Sequence, residues 1–179
     1  MAISGSEVVN PRTGQRTRFL QTAADTSGSF LRMETFHVPH KPPEPEHVHP
    51  SQRSRFEVVT GTVCFQIRGE KRIYRAGEVV NIPANTPHFF WVEGDEETHA
   101  IQEFRPALSI EDFFVTYFAL AREGKLNDKG LPNLLQMAVL MRRHNQDIRV
   151  TNPPRIVQQL VMWTFAPFGR LLGYREAIT

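Results

Sequence analysis

Cysteine is nearly absent: Cys64 stands alone among 179 residues. An intrachain disulfide is therefore excluded, and the usage fits a reducing compartment. An excess of charge of either sign is also lacking. The chain has 21 Lys and Arg against 19 Asp and Glu, a formal net charge of +2, and its basic residues are scattered rather than striped along one face. No nucleic-acid partner is expected from that distribution. No uninterrupted apolar run approaches the ~18 residues that a membrane-spanning helix needs. The opening Met1-Ala-Ile-Ser-Gly-Ser-Glu7 has neither the basic region nor the apolar stretch of a secretory signal. No internal repeat is present, and the only biased tract is a short proline segment. The expectation is a cytoplasmic chain of one domain, with or without an appendage, long enough to bury a real core.

What is present changes character near Arg105-Pro106-Ala107. Before that point short strand-like runs alternate with turn residues. Residues 17–22 and 29–38 read as early strands. Pro39, Pro42, Pro43 and Pro45 then mark an extended loop, because proline lacks a ladder donor. Strand-like runs follow through 63–67, 72–75, 79–83, 88–92 and 98–105, separated by Gly69, Gly77 and Gly94. Many short strands at such spacing indicate a sandwich or barrel. We read residues 1–106 as this β unit and 107–179 as a helical extension packed on the barrel or in a dimer interface.

In the extension, Ser109-Ile-Glu-Asp112 reads as a capped helix start, with Ile110, Phe113, Phe114, Tyr117 and Ala121 at helical spacing and Gly124 as the stop. A second helix is expected from Leu131-Pro132 to about Asn145. A third follows Pro153-Pro154 and is expected to end before Pro167 and Gly169. Leu160-Val-Met-Trp-Thr-Phe-Ala-Pro-Phe168 is apolar nearly all round, with Arg155, Arg170 and Arg175 beside it. Such a helix calls for cover. Burial against the barrel or in a homodimer is the favoured expectation, and contact with a membrane surface is the alternative.

The chemistry concentrates in two stretches. The first is His47-Val-His49-Pro-Ser-Gln-Arg-Ser54-Arg-Phe-Glu-Val-Val-Thr-Gly61, and the second is Gly77-Glu-Val-Val-Asn-Ile-Pro83-Ala-Asn85-Thr-Pro-His88-Phe-Phe-Trp-Val92. Histidines at i and i+2 on an extended segment point to one face, and His88 would arrive on a neighbouring strand. Imidazole suits zinc, copper, nickel and iron, and three nitrogen ligands with one open position form a known catalytic arrangement. By the same parity Ser54, Phe56 and Val58 face inward while Arg55, Glu57 and Val59 face out. Gln52 also has inward parity.

These stretches resemble the cupin family, whose two motifs have the form G-x5-H-x-H-x3–4-E-x6-G and G-x5-P-x-G-x2-H-x3-N. The resemblance covers roughly Pro11 to Pro106. It implies a mainly β fold, the double-stranded β-helix or jelly-roll barrel, with the α-helical extension following it. It also implies a divalent metal (zinc, iron, nickel or manganese) on His47, His49 and His88. Two departures stand out: Lys41 holds a glycine position, and Ser54 holds the position of the ligating glutamate. Three neutral histidines leave the ion's charge uncompensated, so the site should favour an anionic ligand. Ser54 or Gln52 would serve as an additional neutral ligand or pocket polar group, and Glu34, His99 and Glu103 are further candidates for what Ser54 lacks.

Two classes of function stay open. One is a metal-dependent enzyme of dioxygenase, isomerase or polyketide-cyclase type, acting on a small and largely apolar organic molecule against Phe56, Val58, Phe65 and Phe90. The other is a metal-free, non-catalytic ligand-binding or interaction module. No carboxylate is placed inward beside the histidines by parity, so no catalytic residue is assigned.

Overall fold

The computed structural model of the chain describes residues 2–176. Among them are eleven strands: β1 (Glu7–Val9), β2 (Arg16–Gln21), β3 (Leu31–His37), β4 (His47–Val48), β5 (Arg53–Thr60), β6 (Thr62–Ile67), β7 (Glu70–Arg75), β8 (Val79–Ile82), β9 (His88–Val92), β10 (Thr98–Arg105) and β11 (Arg149–Val150). They form a six-stranded sheet in the order β1-β2-β3-β10-β5-β8 and a five-stranded sheet in the order β11-β4-β9-β6-β7. The pairings are antiparallel throughout. This is a two-sheet sandwich, as the strand spacing indicates, with the jelly-roll architecture that the family resemblance implies.

Period-two alternation decides which side chains fill it. Leu31, Met33, Thr35 and His37 of β3 are buried while Arg32, Glu34 and Phe36 between them are partly exposed. On β5, Ser54, Phe56 and Val58 are buried and Arg55 and Glu57 are not. Phe56 of one sheet meets Phe65 and Phe90 of the other at ring separations of 5.2 and 5.1 Å. At the hinge between β5 and β6, Gly61 has φ 82°, and a Cβ there would meet Thr98 Cα at 2.9 Å. Only glycine lets β10 begin this close to the turn.

Three helices follow: α1 (Ile110–Arg122), α2 (Leu134–His144) and α3 (Arg155–Leu171). Helix α1 buries Ile110, Phe114 and Phe118, spaced by four, against Phe19, Leu31, Met33 and Phe104 at one end of the barrel. A second apolar cluster, from Phe56 to Ala100, fills the other end. Helix α2 begins at Asn133, whose side chain accepts a hydrogen bond from the Gln136 amide, rather than at Leu131-Pro132.

Two expectations about these helices need correction. Ser109 does not cap α1 with its side chain. Its hydroxyl donates instead to Asp147 Oδ2 at 2.6 Å, and its amide donates to Oδ1 at 2.9 Å. Helix α3 does not stop before Pro167 but runs through it to Leu171. The cause is packing: Ala166 just before the proline and Gly169 beyond it are buried against α2, which outweighs one lost backbone hydrogen bond.

Gly169 sets how closely the two helices approach, since a Cβ there would meet Val139 Cγ2 at 2.7 Å and the Leu135 carbonyl oxygen at 3.0 Å. We expect Gly169→Val to destabilise the fold by about 1–3 kcal/mol, seen as a fall of about 2–4 °C in Tm per kcal/mol. An unchanged Tm in a calorimetric scan would contradict this packing.

The outer face of α3 is left largely uncovered by the described residues. Ile156, Leu160, Trp163 and Leu171 are 76, 69, 67 and 84% exposed, and Arg142 stacks over the Trp163 ring at 4.5 Å. No helix among the described residues is long and apolar enough to cross a membrane.

Candidate metal centre

Strand β4 is only two residues long, and its position depends on both neighbours. His47 pairs with His88 of β9 on one side, and Val150 of β11 pairs with His47 on the other. The proline loop delivers the chain to β4, and alternation turns His47 and His49 to the same side, where His88 already points. All three rings are buried, at 7, 4 and 4% exposure. One ring nitrogen from each lies within 4.8 Å of the others. The ring centroids are 4.5 to 5.3 Å apart.

The hydrogen bonds fix which nitrogen is free. His47 Nδ1 lies 2.9 Å from the Pro45 carbonyl, His49 Nδ1 2.7 Å from the Asp147 carbonyl, and His88 Nδ1 2.8 Å from the Thr86 carbonyl. A carbonyl oxygen only accepts, so each Nδ1 carries the proton and each Nε2 keeps a lone pair. Burial keeps the rings neutral. It lowers His47, lowers His49 well below the usual range with help from its two neighbours, and brings His88 down to about 4. Three neutral imidazoles held through Nδ1 to backbone carbonyls are the arrangement that metal-binding histidines adopt, and the donor set fits a divalent ion.

Around the histidines is a small cavity of about 40 Å³. Ser54 lines it, as do Phe56, Phe65 and Phe90. Val58 does not; it lies deeper, in the apolar cluster with Val63 and Val80. Gln52 is fully buried but outside the cavity lining, its amide nitrogen donating to the carbonyls of Pro106 and Ala107 at 2.9 and 2.8 Å. Glu34, His99 and Glu103 all lie on the outer face. His99 Nε2 pairs with Glu34 Oε1 at 2.9 Å, and Glu103 accepts from Arg105 Nε at 2.6 Å. None of the three replaces the carboxylate that Ser54 lacks.

Other polar groups line the cavity: His37, Gln102, Glu44, Gln15 and Tyr117. His37 is lowered to about 4 by burial, and its Nε2 has no partner among the described residues. It shares a face with Thr35 and Met33, so strand parity points to it. Gln102 likewise shares a face with Ala100 and Phe104. Glu44 sits in the proline loop, where no periodicity marks it, and burial raises its pKa.

The helical extension completes the site. Asp147, between α2 and β11, supplies the carbonyl that orients His49. Its carboxylate is anchored by Ser109 and by His144 Nδ1 at 3.0 Å, and His49, His144 and Asp147 are all buried.

A family model described as a cupin domain matches residues 35–102. Among solved structures, KdgF from Halomonas sp. superposes with a TM-score of 0.51 at 17% identity, covering 59% of this chain and 93% of that one. A protein from Thermotoga maritima described as a predicted oxalate decarboxylase gives 0.51 at 15% identity, covering 58% and 93%. At such identities the likeness is one of fold. None of the curated proteins matches the chain.

Proposed function

We propose that this chain, which belongs to the cupin superfamily, holds one divalent metal on Nε2 of His47, His49 and His88 and binds or transforms a small organic molecule there. The observation that carries this reading is the common tautomer: three converging rings, each with Nδ1 committed to a carbonyl and Nε2 free. An all-imidazole set favours zinc, iron or nickel over manganese, which prefers oxygen ligands. A divalent ion in that position supplies Lewis acidity toward a carbonyl or enolate oxygen.

The chain's own groups do the rest. Phe56, Phe65, Phe90 and Phe104 wall the histidines and exclude water. Ser54 and Gln102 offer hydrogen bonds without charge. Glu44 is the one carboxyl among the described residues lining the cavity, and it can hold a proton beside the histidines. Elemental analysis of the chain purified without added metal tests the reading. About one equivalent of a transition metal supports it, and a metal-free chain that takes up none on titration overturns it.

The metal-free binding module is the second reading, and Ser54 is the observation that favours it. If a metal is held, Ser54→Glu should tighten zinc binding by tenfold or more, because an ionised carboxylate offsets the ion's charge where a hydroxyl does not. Competition with a chelator at neutral pH measures both forms. Equal or weaker binding in the variant would mean that the cavity has no room for metal geometry at position 54.

The exposed apolar face of α3 supports a homodimer in which that face is covered. The single buried Cys64 supports a cytoplasmic setting.

A further inference from the structure

The cavity at the histidines, about 40 Å³, has room for little more than an ion and a water molecule. A substrate body must lie elsewhere. A second cavity of about 320 Å³ lies among the helices of the extension, and the two share Glu44, His47, Phe113, Tyr117 and Ile148 as a common wall. Its volume reaches the range of ~300–1,000 Å³ typical of small-molecule pockets. Its remaining lining is overwhelmingly apolar and includes Met137, Met141 and Met162. Methionine is unbranched and adapts to irregular apolar shapes. Of its few polar groups, the Gln158 amide nitrogen is already committed to the carbonyls of Val150 and Pro153, and the Tyr117 hydroxyl donates to the Gly130 carbonyl at 2.8 Å. Apart from Asn152 and the Gln158 carbonyl oxygen, the remaining polarity of this cavity is Glu44 and His47, on the wall that faces the histidines.

We propose that this second cavity is a chamber for the apolar body of an amphiphilic ligand whose anionic end reaches the three-histidine centre. The anionic end rests on the metal reading above: neutral ligands leave the ion's double charge to be offset by the ligand. The chamber rests on the geometry alone. It gives the extension a role in recognition, and it assigns the ligand to flexible apolar carboxylates or chemically similar anions rather than to sugars, whose hydroxyls would find no partners among methionine and leucine.

The test is calorimetric titration of the zinc-loaded full chain with straight-chain carboxylates from acetate to decanoate, below micellar concentration. Affinity should rise about fourfold per added methylene until the chamber is full. Met162→Trp, which takes up part of the chamber, should move the limit to shorter chains and weaken decanoate far more than acetate. Retained acetate binding with no gain from longer chains would overturn the chamber and leave the metal reading standing. A full gain that Met162→Trp does not alter would also overturn it, placing the apolar body outside, for instance on the exposed face of α3. The same gain in a chain stripped of zinc would sink the metal anchor and the ligand's orientation while supporting the chamber.

Discussion

His49→Ala is expected to weaken zinc binding by more than about 100-fold, since loss of a ligand should exceed the 10- to 100-fold typical of removing only its outer hydrogen-bond partner. His49 is the ring with the most at stake. It packs on Phe104 at 4.8 Å, and its Nδ1 proton goes to a carbonyl that the extension supplies. The variant loses one of three donors and leaves the buried Asp147 carbonyl without its partner. Thermal scans with and without zinc read the effect directly. An ion at a hundred times its Kd stabilises the folded state by about 2.7 kcal/mol. The unsubstituted chain should show that gain and His49→Ala should show none. A variant that keeps the zinc-dependent shift would mean that the three rings do not act together.

Ending the chain after Pro106 should be more damaging still. It removes Ile110, Phe114 and Phe118 and uncovers Phe19, Leu31, Met33 and Phe104, which are fully buried in the whole chain. Each such side chain contributes about 1.5–3 kcal/mol when buried, so the four together rival the ~5–15 kcal/mol that holds a typical domain folded. It also strips β11 from β4 and leaves that strand's backbone groups open to pairing with another chain. The expected product aggregates and binds no zinc. A truncated barrel that stayed soluble, monomeric and equally heat-resistant in size-exclusion and thermal measurements would show that the helices serve a separate purpose.

The barrel was legible because its strands alternate. Parity alone turns Ser54 and Phe56 inward and sends Glu57 to the surface, where it accepts from Arg55. On β3 and β10 the sequence alone left the inward face open: the fold places His37 and Gln102 inside, and Glu34, His99 and Glu103, the candidates to replace the missing carboxylate, outside. The histidine triad follows from spacing and the family motif. What stayed hidden depends on contacts between segments far apart in sequence. Strand β11 is two residues long, too short for any periodicity. Asp147 acts on His49 through a backbone carbonyl, which any residue type could supply. Ser109 has the composition of a helix cap, yet its hydroxyl is claimed by a buried carboxylate from another segment. Pro167 is a local stop signal overridden by close helix packing at Gly169.

The pairing of β11 with β4 also sets an order of events during synthesis. The partners β5 and β8, β6 and β7, and β6 and β9 emerge within a few tens of residues of one another. His47 meets Val150 only when nearly the whole chain is out. Closing so long a loop carries an entropic cost before its contacts are gained. Until then β4 lacks one neighbour and His49 lacks the carbonyl that sets its tautomer. On the proposed metal reading, a nascent or prematurely ended chain would be a poor scavenger of metal, however complete its strands, and ion capture would wait for the helical extension.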